Sequence, residues 1–155
     1  NHADPPDYFA TEARGLELLA STHTVRVPAV VGHGQQGDKA FLVLEYLDAG
    51  EYNDDYWEDL GHALAELHSH SRARFGLDFD NYIGALPQRN TPTDHGATFF
   101  FEQRLLPQAG LALYKGILPK PLYEKFFRLR DRLPDLLPNE RPALLHGDLW
   151  KGNVL

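Results

Sequence analysis

The sequence predicts a mixed α/β (α+β) fold in two lobes, a β-rich one over residues 1–47 and a mainly helical one over residues 48–155. Three observations carry that reading. Apolar residues recur at helical spacing over 9–20, two apolar strand-like runs follow at 25–31 and 39–47, and three further helical stripes come after residue 55.

Asp4-Pro5-Pro6-Asp7 reads as the entrance to the first helix. Asp4 is placed to cap free amides, and Pro5 sits in the first turn, where no internal N–H bond is needed. Phe9, Ala13, Leu16, Leu19 and Ala20 then share one face, and Glu12 falls inside that stripe. A carboxylate buried there is costly unless a cation or several donors meet it. The nearby cation, Arg14, points elsewhere on the helix, so the partner of Glu12 must come from a distant segment. The two strands form a hairpin around Gln35-Gln36-Gly37-Asp38, and Asp48-Ala49-Gly50 ends the second one at the lobe boundary.

The second lobe begins with Asp55 and Glu58 at capping-box spacing and with Trp57, Leu60, Leu64 and Leu67 on one helical face. Residues 76–88 carry turn formers throughout and read as a loop that stays polar to Gly96. A helix over 98–115, kinked by Pro107, and another over 121–133 with Leu122, Phe126, Leu129 and Leu133 as its stripe complete the lobe. Phe99-Phe100-Phe101 reads as core. The last segment, 144–155, is a polar loop flanked by short apolar strands.

Composition narrows the function. The chain has 155 residues, 43% hydrophobic and 24% charged, with a net charge of −7, which argues against a partner held mainly through a phosphate backbone such as nucleic acid. Without cysteine there is no disulfide framework, thiolate metal site or cysteine nucleophile, in keeping with a reducing, cytoplasmic setting. No apolar run approaches the ~18 residues of a membrane span, and no signal-peptide pattern opens the chain. The absence of methionine and the apolar ending Val154-Leu155 suggest a piece of a longer protein. His68 and His70, two apart on a helix, point to different faces and do not make a metal pair.

The residues best placed for chemistry stand at the end. Asp148 is followed five positions later by Asn153, the spacing at which a kinase catalytic loop divides its work. The aspartate accepts the proton of an acceptor hydroxyl, and the asparagine oxygen helps to hold a magnesium ion that bridges nucleotide phosphates. Gly147 and Gly152 let the backbone turn closely beside them. The bland alternative is a turn in which both side chains cap backbone groups. His146 reads either as a general base or, more readily, as a histidine bonded to backbone that braces the loop.

The segment His146-Gly147-Asp148-Leu149-Trp150-Lys151-Gly152-Asn153 resembles the signature of the fructosamine/ketosamine-3-kinase family. Residues 9–19 (FATEARGLELL), Arg26-Val27-Pro28, residues 41–46 (FLVLEY), residues 81–88 (NYIGALPQ) and residues 101–105 (FEQRL) are similar to that family in the same order. The resemblance implies a two-lobed protein-kinase-like fold, related to the aminoglycoside phosphotransferases and represented here without either end. Residues 1–47 would be part of the nucleotide-binding lobe, closing in a hinge, and residues 48–155 part of the helical lobe, closing in the catalytic loop. It implies transfer of the ATP γ-phosphate, with Mg2+, to the 3-hydroxyl of a free or protein-bound ketosamine, a deglycation repair. Glu12 would pair with a nucleotide-binding lysine on a strand before Asn1. Glu45, Tyr46 and Leu47 would meet the adenine, Asp148 would be the base and Asn153 a metal ligand, with a second metal-binding aspartate past Leu155. Trp150 offers a flat apolar face for a sugar or its amine. Lys151 departs mildly from the family pattern and either touches the γ-phosphate or is simply solvated. Asp80 and Asn81 either border the sugar pocket or form a structured turn. Two rivals remain: a kinase of another small alcohol, of aminoglycoside, choline or homoserine type, and a non-catalytic kinase-like binding module.

Overall fold

A computed structural model describes residues 7–48, 50 and 53–154. Asp4-Pro5-Pro6 of the expected helix entrance lie outside them, as do Ala49 of the expected boundary loop and Leu155. The described residues fall into two compact units, one drawn from 1–71 and 143–155 and the other from 72–142.

In the first unit, helix α1 (Tyr8–Ala20) lays Ala13 and Leu19 into the interior, with Phe9 and Leu16 half-buried beside them. It packs on an antiparallel hairpin of β1 (Val30–Gln36) and β2 (Lys39–Leu44). Glu12 and Ala20, placed within the buried stripe by spacing alone, keep solvent access instead, because the apolar face is narrower than the sequence suggests. The helix is stopped by His23, whose φ of 55° lies in the left-handed region. The Thr22 hydroxyl meanwhile donates to the Leu19 carbonyl at 2.7 Å.

The first strand starts later and runs further than the sequence suggests. Pro28 has no N–H to give to a ladder, and Ala29 spends its own on Glu45, so pairing begins at Val30. Gln35 and Gln36 pair with Ala40 and Lys39, which shrinks the turn to Gly37-Asp38, with Gly37 at φ 63°. The second strand ends at Leu44 rather than Leu47.

Helix α2 (Tyr56–Ser69) follows, its interior face formed by Leu60, Ala63, Leu64 and the fully buried Leu67. Trp57, expected on that face, is 65% exposed, and the half-buried Tyr56 packs edge-on against it. Asp55 stands at the N-cap without a side-chain cap bond, so the capping box does not form.

The second unit opens with a reciprocal backbone pair between Phe75 and Thr93, both bonds at 2.9 Å. The segment expected to be a loop contains a small hairpin, β3 (Asn81–Ile83) and β4 (Leu86–Gln88), turned at Gly84 with φ 54°. The turn residues that suggest a loop are those a hairpin of three-residue strands needs.

The helical run expected at 98–115 is α3 (Gly96–Phe100), a π-helical stretch Phe101–Leu105, and α4 (Leu106–Tyr114). Pro107 sits just past the widened turn, which accommodates its missing N–H. Helix α5 (Lys120–Leu136) carries Pro121 in its first turn, where an N–H is not needed, and Pro134 two residues before its end. Its inward stripe is Tyr123, Phe126, Leu129 and Leu133, while Leu122 stands on the rim, exposed. Phe101 is 1% exposed and meets the ring of Phe127, which Tyr123 meets in turn. Phe99 is half-buried, and Phe100 faces outward, a correction to the uniform core reading of the triple phenylalanine. No helix among the described residues is long and apolar enough to cross a membrane.

Candidate functional site

The segment that follows the second unit returns to α2, where the Leu144 N–H donates to the His70 carbonyl at 2.9 Å. Beyond that bond, the apolar residues expected as strands around the loop have no ladder among the described residues, and 151–153 instead form a single 3-10 turn. Extended apolar sequence becomes a strand only when a neighbouring backbone pairs with it.

Within this loop the structure brings Asp148 and Asn153 together. The Asn153 amide nitrogen donates to the Asp148 carbonyl at 2.8 Å and to its carboxylate Oδ2 at 3.0 Å. Both bonds use the nitrogen end of the carboxamide, so the Asn153 oxygen and the Asp148 Oδ1 remain as exposed hard-oxygen donors. The Asp148 N–H donates to His146 Nδ1 at 3.3 Å, the backbone contact expected of a histidine that braces the loop. Gly147, at φ 89°, supplies the left-handed turn between them. Gly152 has a different reason to be glycine: a Cβ there would overlap the six-membered ring of Trp150. The indole therefore lies against loop backbone, 61% exposed.

At the other candidate segment, Glu45 is gripped by Ala29. Its N–H donates to the Ala29 carbonyl at 2.8 Å, and its Oε2 accepts from the Ala29 N–H at 3.1 Å. Arg26 adds a longer contact to Oε1 at 3.3 Å. The Ala29 bond is the strongest influence on the carboxyl and holds it below the usual range; desolvation opposes it and Arg26 reinforces it. Tyr46 and Leu47 make no hydrogen bond with the described residues, which leaves their backbone groups open to a ligand. The Glu12 carboxyl likewise has no hydrogen-bond or ion-pair partner among the described residues, and desolvation raises it above the ordinary range despite its solvent access.

Asp80 and Asn81 belong to a polar network inside the second unit. Asp80 Oδ1 accepts the Asn90 N–H at 2.8 Å, and Asn81 Oδ1 accepts from Gln88 at 3.0 Å and from Asn90 Nδ2 at 2.9 Å. Asn90, 3% exposed, also donates to the Phe79 carbonyl at 3.0 Å and accepts from Arg104 at 2.6 Å. Arg104 lies 4.6 Å from the centre of the Phe99 ring. Desolvation lowers its pKa, and the nearby Asp80 charge opposes that shift. These bonds describe a structured turn. The signals for Asn90 and Arg104 are faint in sequence, since a lone asparagine in a polar loop and a helix arginine both read as solvated. The same holds for Arg26, nineteen residues before its partner.

A cation would fit the loop by donor chemistry. Mg2+ takes oxygen ligands and is ordinarily held by one or two protein groups together with substrate phosphates, and the Asn153 carboxamide oxygen, left free by its nitrogen's bonds, is one such group. No cluster of three or more acidic, histidine or cysteine side chains suited to a metal occurs among the described residues.

A hairpin packed under a helix, an open segment at its exit and an Asp–Asn loop returning to α2 are parts of a kinase-like fold. The model of the Fructosamine kinase family matches residues 1–155, and the chain belongs to that family. It is 44% identical over 155 residues to "Probable ketoamine kinase" of Synechocystis sp., covering 99% of this chain and 52% of that protein. It is 35% identical over 159 residues to the chloroplastic protein-ribulosamine 3-kinase of Arabidopsis thaliana, covering 99% and 48%. Among solved structures it resembles a protein provisionally named fructosamine-3-kinase from Haemophilus somnus, with TM-score 0.85 and 32% identity over 96% of this chain and 50% of that one. A counterpart from Thermobifida fusca gives TM-score 0.84 and 35% identity over 100% and 53%. The chain thus spans about half the length of the relatives it matches.

Proposed function

We propose that the protein to which this chain belongs is an ATP-dependent ketosamine 3-kinase, transferring the γ-phosphate to the 3-hydroxyl of a sugar-derived ketosamine, free or on a protein lysine. The observation that carries the reading is the Asn153 amide bonded to Asp148 through its nitrogen, which leaves one carboxylate oxygen for a hydroxyl proton and one carboxamide oxygen for a cation. Membership of the Fructosamine kinase family and the names of the relatives support it. Asp148 acts as base and Asn153 helps to hold Mg2+, which when bound neutralises the charge developing on the phosphates. Residues 45–47 receive the adenine, in a nucleotide-binding lobe to which 1–47 contribute, and Glu12 awaits a lysine. Trp150 offers its indole face to the sugar or amine, and the exposed ring seated on Gly152 supports that role. The setting is the cytoplasm or another reducing compartment that supplies ATP.

The test is phosphate transfer by the full-length protein from ATP to a ketosamine, with aminoglycoside, choline and homoserine acceptors alongside. Asp148→Asn is expected to lower kcat by about 10²–10⁴, the range of a lost general base, while ATP binding persists. Asn153→Ala is expected to raise the Mg2+ concentration needed for half-maximal rate. Equal turnover of the other alcohols, or full activity in Asp148→Asn, overturns the reading.

A further inference from the structure

The side chain of Glu45 has no role in the reading above, which uses only the backbone of 45–47, yet its carboxylate accepts from the Ala29 N–H and from Arg26. Ala29 meets Glu45 with two bonds of opposite direction, its carbonyl accepting the Glu45 N–H and its N–H donating to Oε2. One bond sets a distance; two to the same residue also set its rotation. Pro28, directly before Ala29, restricts the segment from which these bonds come. The β2 ladder ends at Leu44, and Tyr46 and Leu47 bond to nothing else described, so the grip on Glu45 is the last point at which the exit of the sheet is held.

We propose that Glu45 is a positioning residue for nucleotide recognition: its carboxylate, anchored on the Ala29 N–H, holds the backbone of Tyr46 and Leu47 in the orientation that meets the adenine. The inference rests on reading 45–47 as the hinge. Arg26 is secondary. Its guanidinium is 77% exposed and 3.3 Å away, and exposed pairs of that kind contribute little. The anchor therefore needs an acceptor at this position more than it needs a negative charge, and a glutamine, which keeps the carbonyl oxygen, replaces it where an alanine does not.

The experiment compares Glu45→Ala, Glu45→Gln and Arg26→Gln in the full-length protein. It measures KM for ATP, KM for the ketosamine and kcat, and follows backbone hydrogen exchange without nucleotide at the two bonded amides, Ala29 and Glu45. Glu45→Ala is expected to raise the ATP KM by about tenfold, the scale of one lost hydrogen bond, with the ketosamine KM unchanged and faster exchange at both amides. Glu45→Gln is expected to restore most of the ATP KM and the exchange protection, and Arg26→Gln to change either by less than about twofold, as for other exposed pairs.

An unchanged ATP KM in Glu45→Ala, a Glu45→Gln as damaged as the alanine, or a parallel rise in both KM values overturns the proposal. If Glu45→Ala does not fold, exchange in Glu45→Gln decides, and loss of protection there overturns it. A wild-type protein that binds no ATP overturns the hinge reading itself, whereas wild-type and Glu45→Ala proteins that bind ATP equally overturn only the role of the side chain.

Discussion

Asn90→Ala tests whether the second unit is held by its polar network as well as by its phenylalanines. The substitution leaves the backbone bond from residue 90 to Asp80 in place and removes three side-chain bonds, to Phe79, Asn81 and Arg104. Two are neutral, worth about 1 kcal/mol each, and the one to Arg104 is charge-assisted and worth about 1.5–3 kcal/mol. At 3% exposure of Asn90, water cannot readily take the place of the lost carboxamide. Arg104 retains the carbonyls of Arg89 at 2.6 Å and Gln103 at 3.0 Å, which caps its share of the loss. The expected cost is about 3–5 kcal/mol, a large part of the 5–15 kcal/mol typical of a domain. Urea denaturation of wild type, Asn90→Ala, Arg104→Ala and the double variant measures it, with a coupling of about 1–2 kcal/mol between the two sites. A cost below about 1 kcal/mol for Asn90→Ala, or strict additivity of the pair, refutes the reasoning that a buried amide organises this unit.

Three other perturbations address the remaining sites. Gly76→Ala puts a Cβ 2.5 Å from the Asn90 carbonyl oxygen at a φ of 117°. It is therefore expected to cost at least about 1–3 kcal/mol, read as a lower thermal midpoint. Trp150→Ala is expected to raise the ketosamine KM with the ATP KM unchanged, and unchanged ketosamine affinity sinks the stacking role. Glu12 has its carboxyl raised by desolvation, so the folded chain binds that proton more tightly than the unfolded one. Its contribution to stability is then most favourable below the ordinary carboxylate range and declines as pH rises through the raised value. Glu12→Gln is expected to flatten that dependence, measured as the thermal midpoint across acidic to neutral pH, and to lower kinase activity if a lysine pairs with Glu12.

Much of the local structure could be read from the chain. Helix α1, the hairpin, α2 and α5 each have an apolar period long enough to dominate, and the Asp148–Asn153 spacing singles out a candidate loop only together with His146-Gly147 before it and the apolar residues around it. The errors fall where a local signal has two outcomes. Val25 and Val27 favour a strand, yet Pro28 and the diversion of Ala29 to Glu45 delay pairing until Val30. Trp57 fits the period of α2 and is nonetheless exposed, because period specifies a face and not how far neighbours extend over it. Glu12 sits in a stripe by spacing but keeps solvent access for the same reason.

By itself, then, the sequence determined the long helices and the first hairpin, and that a carboxylate and a carboxamide stand five residues apart, each preceded by a glycine, because backbone preference and periodicity act over a few neighbours. Only the tertiary structure decided that Asn153 turns its nitrogen to Asp148, that the indole of Trp150 rests on Gly152, that Ala29 holds Glu45 across sixteen residues, and that Asn90 gathers Asn81 and Arg104. Those are choices of hydrogen-bond partner and of close approach. They follow from which distant groups the fold brings within about 3 Å of one another, which no local pattern encodes.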